Sequence, residues 1–469
     1  MIGDDHETNL FVSRPQLLNA LGLVETAKAK GWNFRAHTLI ISYDSLMKQR
    51  ILIRNARILQ ARKASLLGLH QLLIEDGRIK SIAPNEALEQ PGQEGPCRPD
   101  DLTHQIDAQG DVLMPGLIDC HVHVLASQMH LGQLGKLPNV LAVLRSVPIL
   151  DAMIRRGFTT VRDAGGADDA LAQATAEGTI VGPRILPSGR ALSQTGGHGD
   201  MRERSDIIEA CACTPKVGAI SRVVDGVDAV RKAVREEIQR GATQIKIMAS
   251  GGVASPNDPI HFLGYSEDEI KAAVGEADNA SSYVMAHAYT ARAIKRAIRC
   301  GVRSIEHGNL VDDEAALMMA DAGAFAVPTL ITYEALAEEG KALGLPKASL
   351  AKIESVRAEG LRSLETFAKA GVSMAFGSDL LGATQRLQSE EFRLRASVLG
   401  TAAAIQSATY AAAKLIRREH ELGDIFEGAL ADLILLKGNP IQDIRVLCGQ
   451  GESIRWVMKE GRLISPPQT

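Results

Sequence analysis

The central part of the chain alternates short apolar runs with amphipathic segments of helical spacing. Two of the helical segments are DAVRKAVREEIQRG and SEDEIKAAVGEADNA, and the second opens with Ser266 and Glu269 in capping-box spacing. Eight strand-like runs over roughly 300 residues, each followed by helical or loop material, predict an α/β chain folded as a (β/α)8 TIM barrel, with a doubly wound sheet as the alternative. The runs are VLMPGLIDCHVHV, FTTVRDAG, RILPSG, TQIKIMA, YVMAHA, RSIEHG, AFAVPT and VSMAFGSD.

Strand-like segments also flank this centre on both sides. ILIRNARILQ and HQLLIEDGRIKSIAP precede it, the second turning at the hairpin dipeptide Asp76-Gly77, and GALADLILLKGNP and SIRWVMKEGRLI follow it. We therefore expect one small β-sandwich domain built from residues 49–116 and 424–469, with the barrel over residues 117–423. Residues 1–48 are an N-terminal extension to which the sequence assigns no role.

Composition narrows the class of protein. Hydrophobic residues make up 45% and charged residues 23%, as in ordinary globular enzymes, and a net charge of -4 favours no nucleic-acid partner. No apolar run approaches the ~20 residues that span a bilayer, and the acidic start predicts no signal peptide. The six cysteines lack disulfide spacing, Cys211 and Cys213 are interpreted as ordinary thiols, and a cytoplasmic location is expected.

Residues of metal-binding type stand at the ends of five of the predicted barrel strands. Two histidines one residue apart on a strand point to the same face, because side chains alternate with period 2. The carboxyl ends of barrel strands meet at one mouth, where catalytic groups of such barrels lie, so the set predicts a two-metal site. Its members are His121, His123, Lys246, His287, His307 and Asp379.

Lys246 carries the most chemical information in this set. In the strand QIKIM it faces the barrel interior, where desolvation lowers the pKa of an ammonium group. A neutral amine near two cations can capture carbon dioxide as a carbamate whose oxygens bridge both metals. The alternative is a buried lysine paired with a carboxylate such as Glu306 or Asp163.

PGLIDCHVHV, the lysine strand ending in SGG, and the motifs HAYT, EHG and GSD together resemble the amidohydrolase superfamily. The resemblance is to the branch with two metals and a carboxylated lysine, in the imidazolonepropionase-like group that includes prolidase-type dipeptidases and ochratoxin-degrading amidases. It implies that His121, His123 and Asp379 hold the more buried metal. His287 and His307 would hold the second, and carboxylated Lys246 would bridge them. It also implies a homo-oligomer as large as an octamer.

The expected function is hydrolysis of the amide bond of a small N-acyl amino acid or dipeptide, releasing the C-terminal amino acid. Ochratoxin cleavage to phenylalanine would be one instance. Two divalent cations, with zinc expected, would activate a hydroxide while Asp379 acts as general base. The alternatives are a deaminase or cyclic-amide hydrolase of the same superfamily, or a non-catalytic scaffold. HAYT in place of HAxE disfavours a single-metal deaminase, and Lys246 disfavours imidazolonepropionase.

Two further residues are candidates for contact with substrate. Tyr289 resembles the family's substrate-contacting tyrosine, with a structural tyrosine at a helix start as the alternative. His198 lies in the glycine-flanked loop SQTGGHGD and would bind a substrate carboxylate or stabilise the oxyanion, with a solvent-exposed loop histidine as the alternative. Arg162 and Arg222 are the candidate cations for a substrate carboxylate.

Overall fold

A computed structural model describes residues 50–85, 104–202, 216–253, 255, 258–343, 345 and 347–464 of the chain. The expected N-terminal extension, residues 1–48, and the cysteines Cys211 and Cys213 lie outside the described residues. In the described part, no helix is both long enough and apolar enough to cross a bilayer. The cysteines described there, Cys120, Cys300 and Cys448, are free thiols.

Strands and helices alternate through the middle of the described chain, and strands dominate both ends. The strands are β1 Arg50–Gln60, β2 Ser65–Glu75, β3 Arg78–Pro84, β4 His104–Asp107, β5 Val112–Pro115, β6 Leu117–Val122, β7 Phe158–Asp163, β8 Arg184–Leu186, β9 Ala191–Ser193, β10 Ser221–Val223, β11 Ile245–Met248, β12 Val284–Thr290, β13 Ser304–Leu310, β14 Phe325–Val327, β15 Ser373–Met374, β16 Leu433–Leu436, β17 Ile454–Lys459 and β18 Arg462–Ile464.

Most of the helices follow barrel strands. They are α1 Leu131–Leu134, α2 Asn139–Arg155, α3 Asp169–Ala176, α4 Val227–Gln239, α5 Glu267–Asn279, α6 Ala291–Arg299, α7 Asp313–Asp321, α8 Leu330–Glu339, α9 Lys347–Ala370, α10 Glu391–Ser407 and α11 Tyr410–Leu415. Short 3-10 helices cover Ala61–Lys63, Gly382–Glu390 and Ile444–Leu447.

The central strands form a parallel (β/α)8 barrel. β6, β7 and β8 pair in parallel, as do β9 and β11 to β15 in order. β8 pairs with β7 and β9 pairs with β11, so these two short segments together make the third of the eight barrel strands. The barrel closes where Cys120 N donates to Phe376 O at 2.8 Å and Asp379 N donates to His121 O at 2.8 Å. The predicted barrel is therefore confirmed, and the doubly wound alternative is wrong.

Strands from both ends of the described chain form one eight-stranded sheet. Its order is β18-β17-β16-β5-β1-β2-β3, with β4 also paired to β1. β5 pairs with β1 on one edge and with the distant β16 on the other. The run VLMPGLIDCHVHV is thus two strands in two sheets, divided at Gly116, where a Cβ atom would lie 2.1 Å from Oγ1 of Thr159. From the sequence we predict this run as one strand, although Pro115-Gly116 is a turn dipeptide and the expected domain boundary lies directly after it.

Local chemistry explains where several elements begin and end. Asp76 and Gly77 both have positive φ, 51° and 77°, and form the predicted turn between β2 and β3. Ser266 caps α5 with the predicted capping box, because its side chain accepts from Glu269 N and the Glu269 carboxylate accepts in return. The short strands β4, β9 and β10 were not predicted, whereas the equally short β8 and β14 were, because they lie in the predicted runs RILPSG and AFAVPT.

The helices cover the barrel with their apolar faces. α4 buries Val230 and Val234 at helical spacing in the same core cluster as Ile245 and Ile247 of β11. The alternate residue Lys246 points to the barrel interior instead, with 2% of its surface exposed. Alternate residues of β11 therefore have different surroundings: one set packs against the helices, and the other faces the interior of the barrel.

Candidate metal and active site

The Asp379 carboxylate lies against two histidines at the mouth of the barrel. His121 is in β6, His123 directly follows it, and Asp379 comes after β15. Asp379 Oδ1 lies 3.4 Å from Nε2 of His121 and 3.3 Å from Nε2 of His123. The side chain of Asp379 is 20% exposed, whereas that of His121 is 1% exposed, so the carboxylate is the group that a molecule entering from solvent meets.

His307 and His287 lie beside this group. One ligand atom from each of His121, His307 and Asp379 falls within 4.8 Å of the others. The ring centroids of His287 and His307 are 4.6 Å apart, and those of His121 and His307 are 5.0 Å apart. The side chains that the sequence places at separate strand ends are therefore close neighbours in the barrel mouth.

Hydrogen bonds determine which imidazole nitrogen remains free. His123 Nδ1 lies 3.0 Å from Gly165 O and His287 Nε2 lies 3.2 Å from Gly251 O, and a carbonyl oxygen can only accept. When each ring carries a single proton, the nitrogen that can bind a metal is therefore Nε2 in His123, which faces the Asp379 carboxylate, and Nδ1 in His287. Burial lowers the pKa of His287 and of His307 well below the usual value, which keeps both rings neutral, as metal ligands must be.

Two of these residues have strained backbones. His307 has φ 71° and Asp379 has φ 50°, both in the left-handed region. Such a conformation costs a non-glycine residue roughly 1–3 kcal/mol and persists where surrounding structure enforces it, commonly at functional sites. The strain lies on the two residues that turn from the strand toward the centre of the mouth.

Glu306 and Arg162 support His121 from below. His121 Nδ1 lies 2.7 Å from Glu306 Oε2, and Arg162 Nη2 donates to both Glu306 oxygens at 2.9 and 3.0 Å. Burial disfavours the charge on Glu306, but Arg162 and His121 lower its pKa to about 2. An ionised Glu306 accepts from Nδ1 of His121 and leaves Nε2 free.

This support was missed by sequence reasoning, which considered Glu306 as a partner of Lys246 and Arg162 as a cation for substrate. Both interpretations are wrong, because Arg162 is fully buried and bound to Glu306. The available signal was the alternation in RSIEHG: Ser304 and Glu306 share the interior face, whereas Ile305 packs against the helices.

Lys246 is buried without an ion pair. Burial lowers its pKa to about 8. Within the described chain, no carboxylate oxygen approaches its Nζ to 4.0 Å or less. Asp163, the other suggested partner, accepts instead from the backbone N–H groups of Val124, Gly165 and Ala167. The simple lysine–carboxylate pair is therefore not observed.

His198 and Tyr289 lie against the histidines. The His198 ring stacks on that of His287 at 4.2 Å and is 9% exposed, so it is not the solvent-exposed histidine of the alternative. Its Nδ1 lies 2.7 Å from Ser255 Oγ and 3.1 Å from Asp258 Oδ2. The Tyr289 ring contacts both His287 and His307, with centroids 4.9 and 5.2 Å apart.

The loop after β11 closes one side of the mouth. Its Gly251 carbonyl contacts His287, and Lys352 of α9 donates to three carbonyl oxygens of the same loop, those of Gly252, Ser255 and Asp258, at 3.0, 3.2 and 2.8 Å. The second candidate cation for substrate, Arg222, pairs with Glu236 and Glu237 at 2.8 and 3.0 Å. Its guanidinium therefore forms ion pairs with helix α4 and is not a cation available to the substrate.

A cavity opens beside the loop that follows His123. Its volume is ≈ 540 Å³, and it is lined by Gln128, Met129, His130, Gln133, Lys136, Leu137 and Leu343. Ala126 N donates to His123 O at 3.0 Å, so this loop begins at the candidate metal site itself. The lining contains apolar, amide and basic side chains and no acidic one. Such a lining suits an apolar group that carries an anion.

The donor set fits a transition-metal cation. Neutral imidazole nitrogens and a carboxylate oxygen are ligands for zinc and its neighbours, and the partly exposed carboxylate leaves room for a further ligand. His121, His307 and Asp379 are the residues whose ligand atoms are already grouped, and His123 contacts the same carboxylate.

Comparisons with known proteins agree with this site. A model of the Amidohydrolase family matches residues 112–464. Ochratoxinase from Aspergillus niger is 34% identical over 378 residues, which cover 78% of this chain and 77% of that protein.

Solved structures give the same result. A prolidase complexed with N-methylphosphonate-L-proline is similar with a TM-score of 0.85 and 54% identity, over 89% of this chain and 100% of that one. A Xaa-Pro dipeptidase with methionine bound in its active site has a TM-score of 0.78 and 31% identity, over 89% and 100% of the two chains.

Proposed function

This chain belongs to the amidohydrolase family and hydrolyses amide bonds, and on that premise we propose that it cleaves small N-acyl amino acids or dipeptides, releasing the C-terminal amino acid. The observation that carries the proposal is the convergence of His121, His123 and His307 on the partly exposed Asp379 carboxylate. The similar prolidase, Xaa-Pro dipeptidase and ochratoxinase support this substrate class, because their names refer to substrates in which an amide nitrogen belongs to an amino acid.

Two divalent cations, with zinc expected, would be held by the six residues that the sequence singles out. His121, His123 and Asp379 would hold one, His287 and His307 the other, and a carboxylated Lys246 would bridge them. When bound, the cations would polarise the amide carbonyl and acidify water. The free nitrogens, Nε2 of His123 and Nδ1 of His287, suit this role because their other nitrogens donate to carbonyl oxygens.

Asp379 is the proposed general base. Burial opposes its ionisation, but the neighbouring His121, His123 and His307 lower its pKa well below the usual value, so it is ionised at neutral pH. Its carboxylate would accept the proton of the attacking water as the new carbon–oxygen bond forms. The same proton would pass to the leaving nitrogen as the carbon–nitrogen bond breaks, which yields a neutral amine and a carboxylic acid.

Lys246 would carry the carbamate. Its neutral amine would add to carbon dioxide and lose one proton, giving a carbamate anion. Its burial without an ion pair and its lowered pKa favour this reaction.

A Lys246→Ala variant tests this assignment. We expect it to lose metal and turnover, and we expect short-chain carboxylic acids to restore part of both, because they can supply the missing bridging oxygens. The measurement is metal content by mass spectrometry beside steady-state kinetics, with Lys232→Ala, an exposed lysine of α4, as a control outside the proposed ligand set. A Lys246→Ala protein that keeps two metals per chain would contradict the bridge.

The substrate carboxylate needs a cation, and Lys136 is our candidate. It lines the cavity that opens beside the His123 loop, and it forms no ion pair within the described chain. The apolar members of that lining, Met129, Leu137 and Leu343, would accept the hydrophobic part of the substrate. The His198 ring, stacked on His287, would face the same substrate from the loop after β9.

We further propose that the enzyme is a cytoplasmic homo-oligomer acting on a small molecule, with neither nucleic acid nor membrane as a partner. A net charge of -4 and the absence of a basic cluster in the sequence support the first exclusion. Light scattering on the purified protein measures the oligomeric state, and an octamer is the largest assembly expected.

The decisive experiment is a screen of zinc-loaded protein against dipeptides and N-acyl amino acids, with product identification. The library includes Xaa-Pro dipeptides and ochratoxin A. Release of a free C-terminal amino acid is the expected result. Release of ammonia, or opening of a cyclic amide with no free amino acid formed, would overturn the proposal in favour of the other chemistries of the superfamily.

A further inference from the structure

Asp119 of β6 is a fully buried residue whose two carboxyl oxygens both accept hydrogen bonds. Its Oδ1 accepts from His121 N at 3.0 Å and from Ser378 N at 3.2 Å. Its Oδ2 accepts from Ser378 Oγ at 2.6 Å and from Gln388 Nε2 at 2.9 Å. One side chain therefore connects the strand that carries His121 to the segment that carries Asp379.

The segment before Asp379 also approaches β6 very closely through its backbone. A Cβ atom on Gly377 would lie 2.6 Å from Cγ1 of Val327 and 3.0 Å from Cβ of His121, so no larger residue fits there. Asp379 N donates to His121 O at 2.8 Å, and Ser378 N lies 3.3 Å from the same oxygen. Backbone contacts and the Asp119 side chain thus hold the same turn.

These contacts explain how Asp379 keeps its left-handed φ of 50°. Such a conformation costs a non-glycine residue roughly 1–3 kcal/mol and persists only where the surrounding structure enforces it. Ser378, the residue directly before it, donates to Asp119 through both its backbone and its hydroxyl group. Because the acceptor is a side chain, a substitution of Asp119 can loosen the turn without removing any proposed metal ligand.

Gln388 is held in one orientation by Arg156. Arg156 follows α2 and donates through Nε and Nη2 to Gln388 Oε1 at 3.2 and 3.0 Å. A guanidinium group can only donate, so Oε1 of Gln388 is the acceptor and its Nε2 must donate to Asp119. Both residues are at most 3% exposed. Asp119 Oδ2 therefore faces a donor whose direction is fixed.

We propose that Asp119 is a positioning residue of the metal centre, which fixes Asp379 relative to His121 and His123 so that all three can bind one cation. The inference rests on the metal centre of the proposed function. Asp119 acts through its hydrogen bonds rather than as a ligand, because donors already occupy both of its oxygens. Gln388 and Arg156 keep the Asp119 carboxyl group in place.

An exchange of the amide and carboxyl groups between positions 119 and 388 tests the proposal. Asp119→Asn turns an amide N–H group toward Nε2 of Gln388, where two donors meet. Loss of such a supporting contact typically costs about 10–100-fold in metal affinity. Adding Gln388→Glu supplies an acceptor for the new amide and keeps a partner for Arg156, so the double variant should regain most of the affinity. Competition with a chelator measures zinc affinity without turnover.

The matched control is Asp432→Asn, at a buried aspartate that contacts none of the proposed metal ligands. Asp432 is 4% exposed and accepts from Arg184 Nη1 at 2.7 Å and from Glu460 N at 2.8 Å. Its amide variant should lose stability but bind zinc as the wild type does. Wild-type zinc affinity in Asp119→Asn would overturn the inference, and so would a double variant that regains none of the lost affinity.

Kinetics at saturating zinc separate positioning from loss of metal. Misplacement of a catalytic group by about 1 Å can cost about 10²-fold in rate. We therefore expect kcat of zinc-saturated Asp119→Asn to fall by up to about 10²-fold with KM nearly unchanged, because Asp379 is the proposed general base. A wild-type kcat in that variant would contradict the positioning role.

Ser378→Ala is a milder variant that keeps the backbone hydrogen bond to Asp119 and removes only the one from the hydroxyl group. We expect its zinc affinity to fall by about 10-fold, at the lower end of the range for supporting contacts. If Ser378→Ala and wild type bind zinc equally, the inference fails. The substrate screen with wild-type protein decides the proposed function independently of all these variants.

Discussion

The two ends of the barrel use buried charge in opposite ways. At the mouth, His121 and His123 face the Asp379 carboxylate, His307 lies close by, and Lys246 lacks an ion pair within the described chain. At the base, Arg184 at the start of β8 donates to Asp432 Oδ2 at 2.7 Å and to Thr160 Oγ1 at 2.8 Å. The buried charges at the base therefore form an ion pair between arginine and aspartate. The mouth instead contains imidazole and carboxylate groups that can donate electron pairs to a metal.

The paired charges join the barrel to the eight-stranded sheet. Asp432 precedes β16 and also accepts from Glu460 N at 2.8 Å, while Lys459 of β17 donates to the carbonyl oxygens of Thr175 and Gly182 at 2.8 and 2.9 Å. Hydrogen bonds of Arg184, Asp432 and Lys459 therefore hold the sheet against the barrel there. The paired charges thus belong to a structural contact, whereas the clustered imidazoles and carboxylate at the mouth are expected to bind a ligand.

The largest expected effect is a loss of kcat caused by a substitution at the mouth of the barrel, which leaves the contact between barrel and sheet at the base unchanged. Asp379→Asn removes the general base and a ligand charge, and we expect kcat to fall by about 10⁴-fold. Asparagine tolerates the left-handed φ of this position, so the metal-free variant should remain folded, with a lower melting temperature only to the extent that the lost histidine–carboxylate attraction stabilised the metal-free protein. Steady-state kinetics and thermal melting in chelator measure the two quantities. Turnover equal to wild type would remove Asp379 from the mechanism.

The next largest effect is the opposite one: a substitution at the base is expected to lower stability and to leave kcat unchanged. Arg184→Met leaves Asp432 buried and unpaired, and we expect the free energy of unfolding to fall by about 3 kcal/mol, with kcat of the folded enzyme retained. Denaturant unfolding measures the loss. Adding Asp432→Asn removes the uncompensated charge and should recover part of it. A kcat loss as large as that of Asp379→Asn would show that the two ends are not functionally separate.

The smallest expected effect is a change in KM caused by a substitution of Lys136, at the rim of the mouth. Lys136 is exposed, and a contact of an exposed cation with a carboxylate is worth roughly 1 kcal/mol or less. We therefore expect Lys136→Met to raise KM about threefold for substrates with a free carboxylate, with kcat unchanged. The matched substrate is the corresponding C-terminal amide, for which KM should not change. An equal rise for both substrates would assign Lys136 no role in recognising the carboxylate.

Most of the barrel could be predicted from the sequence, because its strands are apolar runs and several of them are followed by segments of clear helical periodicity. Residue alternation was also enough to place Lys246 in the interior and to put His121 and His123 on one face. These features depend on local spacing, and local spacing is what a sequence displays.

The supporting contacts could not be predicted in the same way. Glu306 meets Arg162 across the barrel, and Glu391 caps a helix 60 residues earlier in the chain. The left-handed φ of His307 also turns its side chain out of the alternation that its strand establishes. Such contacts depend on how distant strands are registered, and no pattern within either segment encodes that register.

The position of β5 has a consequence for how the protein is made. One edge of this strand pairs with β1, which is synthesised before it, but the other pairs with β16. During translation, the second edge of β5 stays unpaired until roughly 300 further residues have been synthesised. An unpaired strand edge can form hydrogen bonds with other chains and so promote aggregation. We therefore expect nascent chains to need chaperone protection until β16 has been made, and expression in hosts poor in chaperones to yield aggregated material.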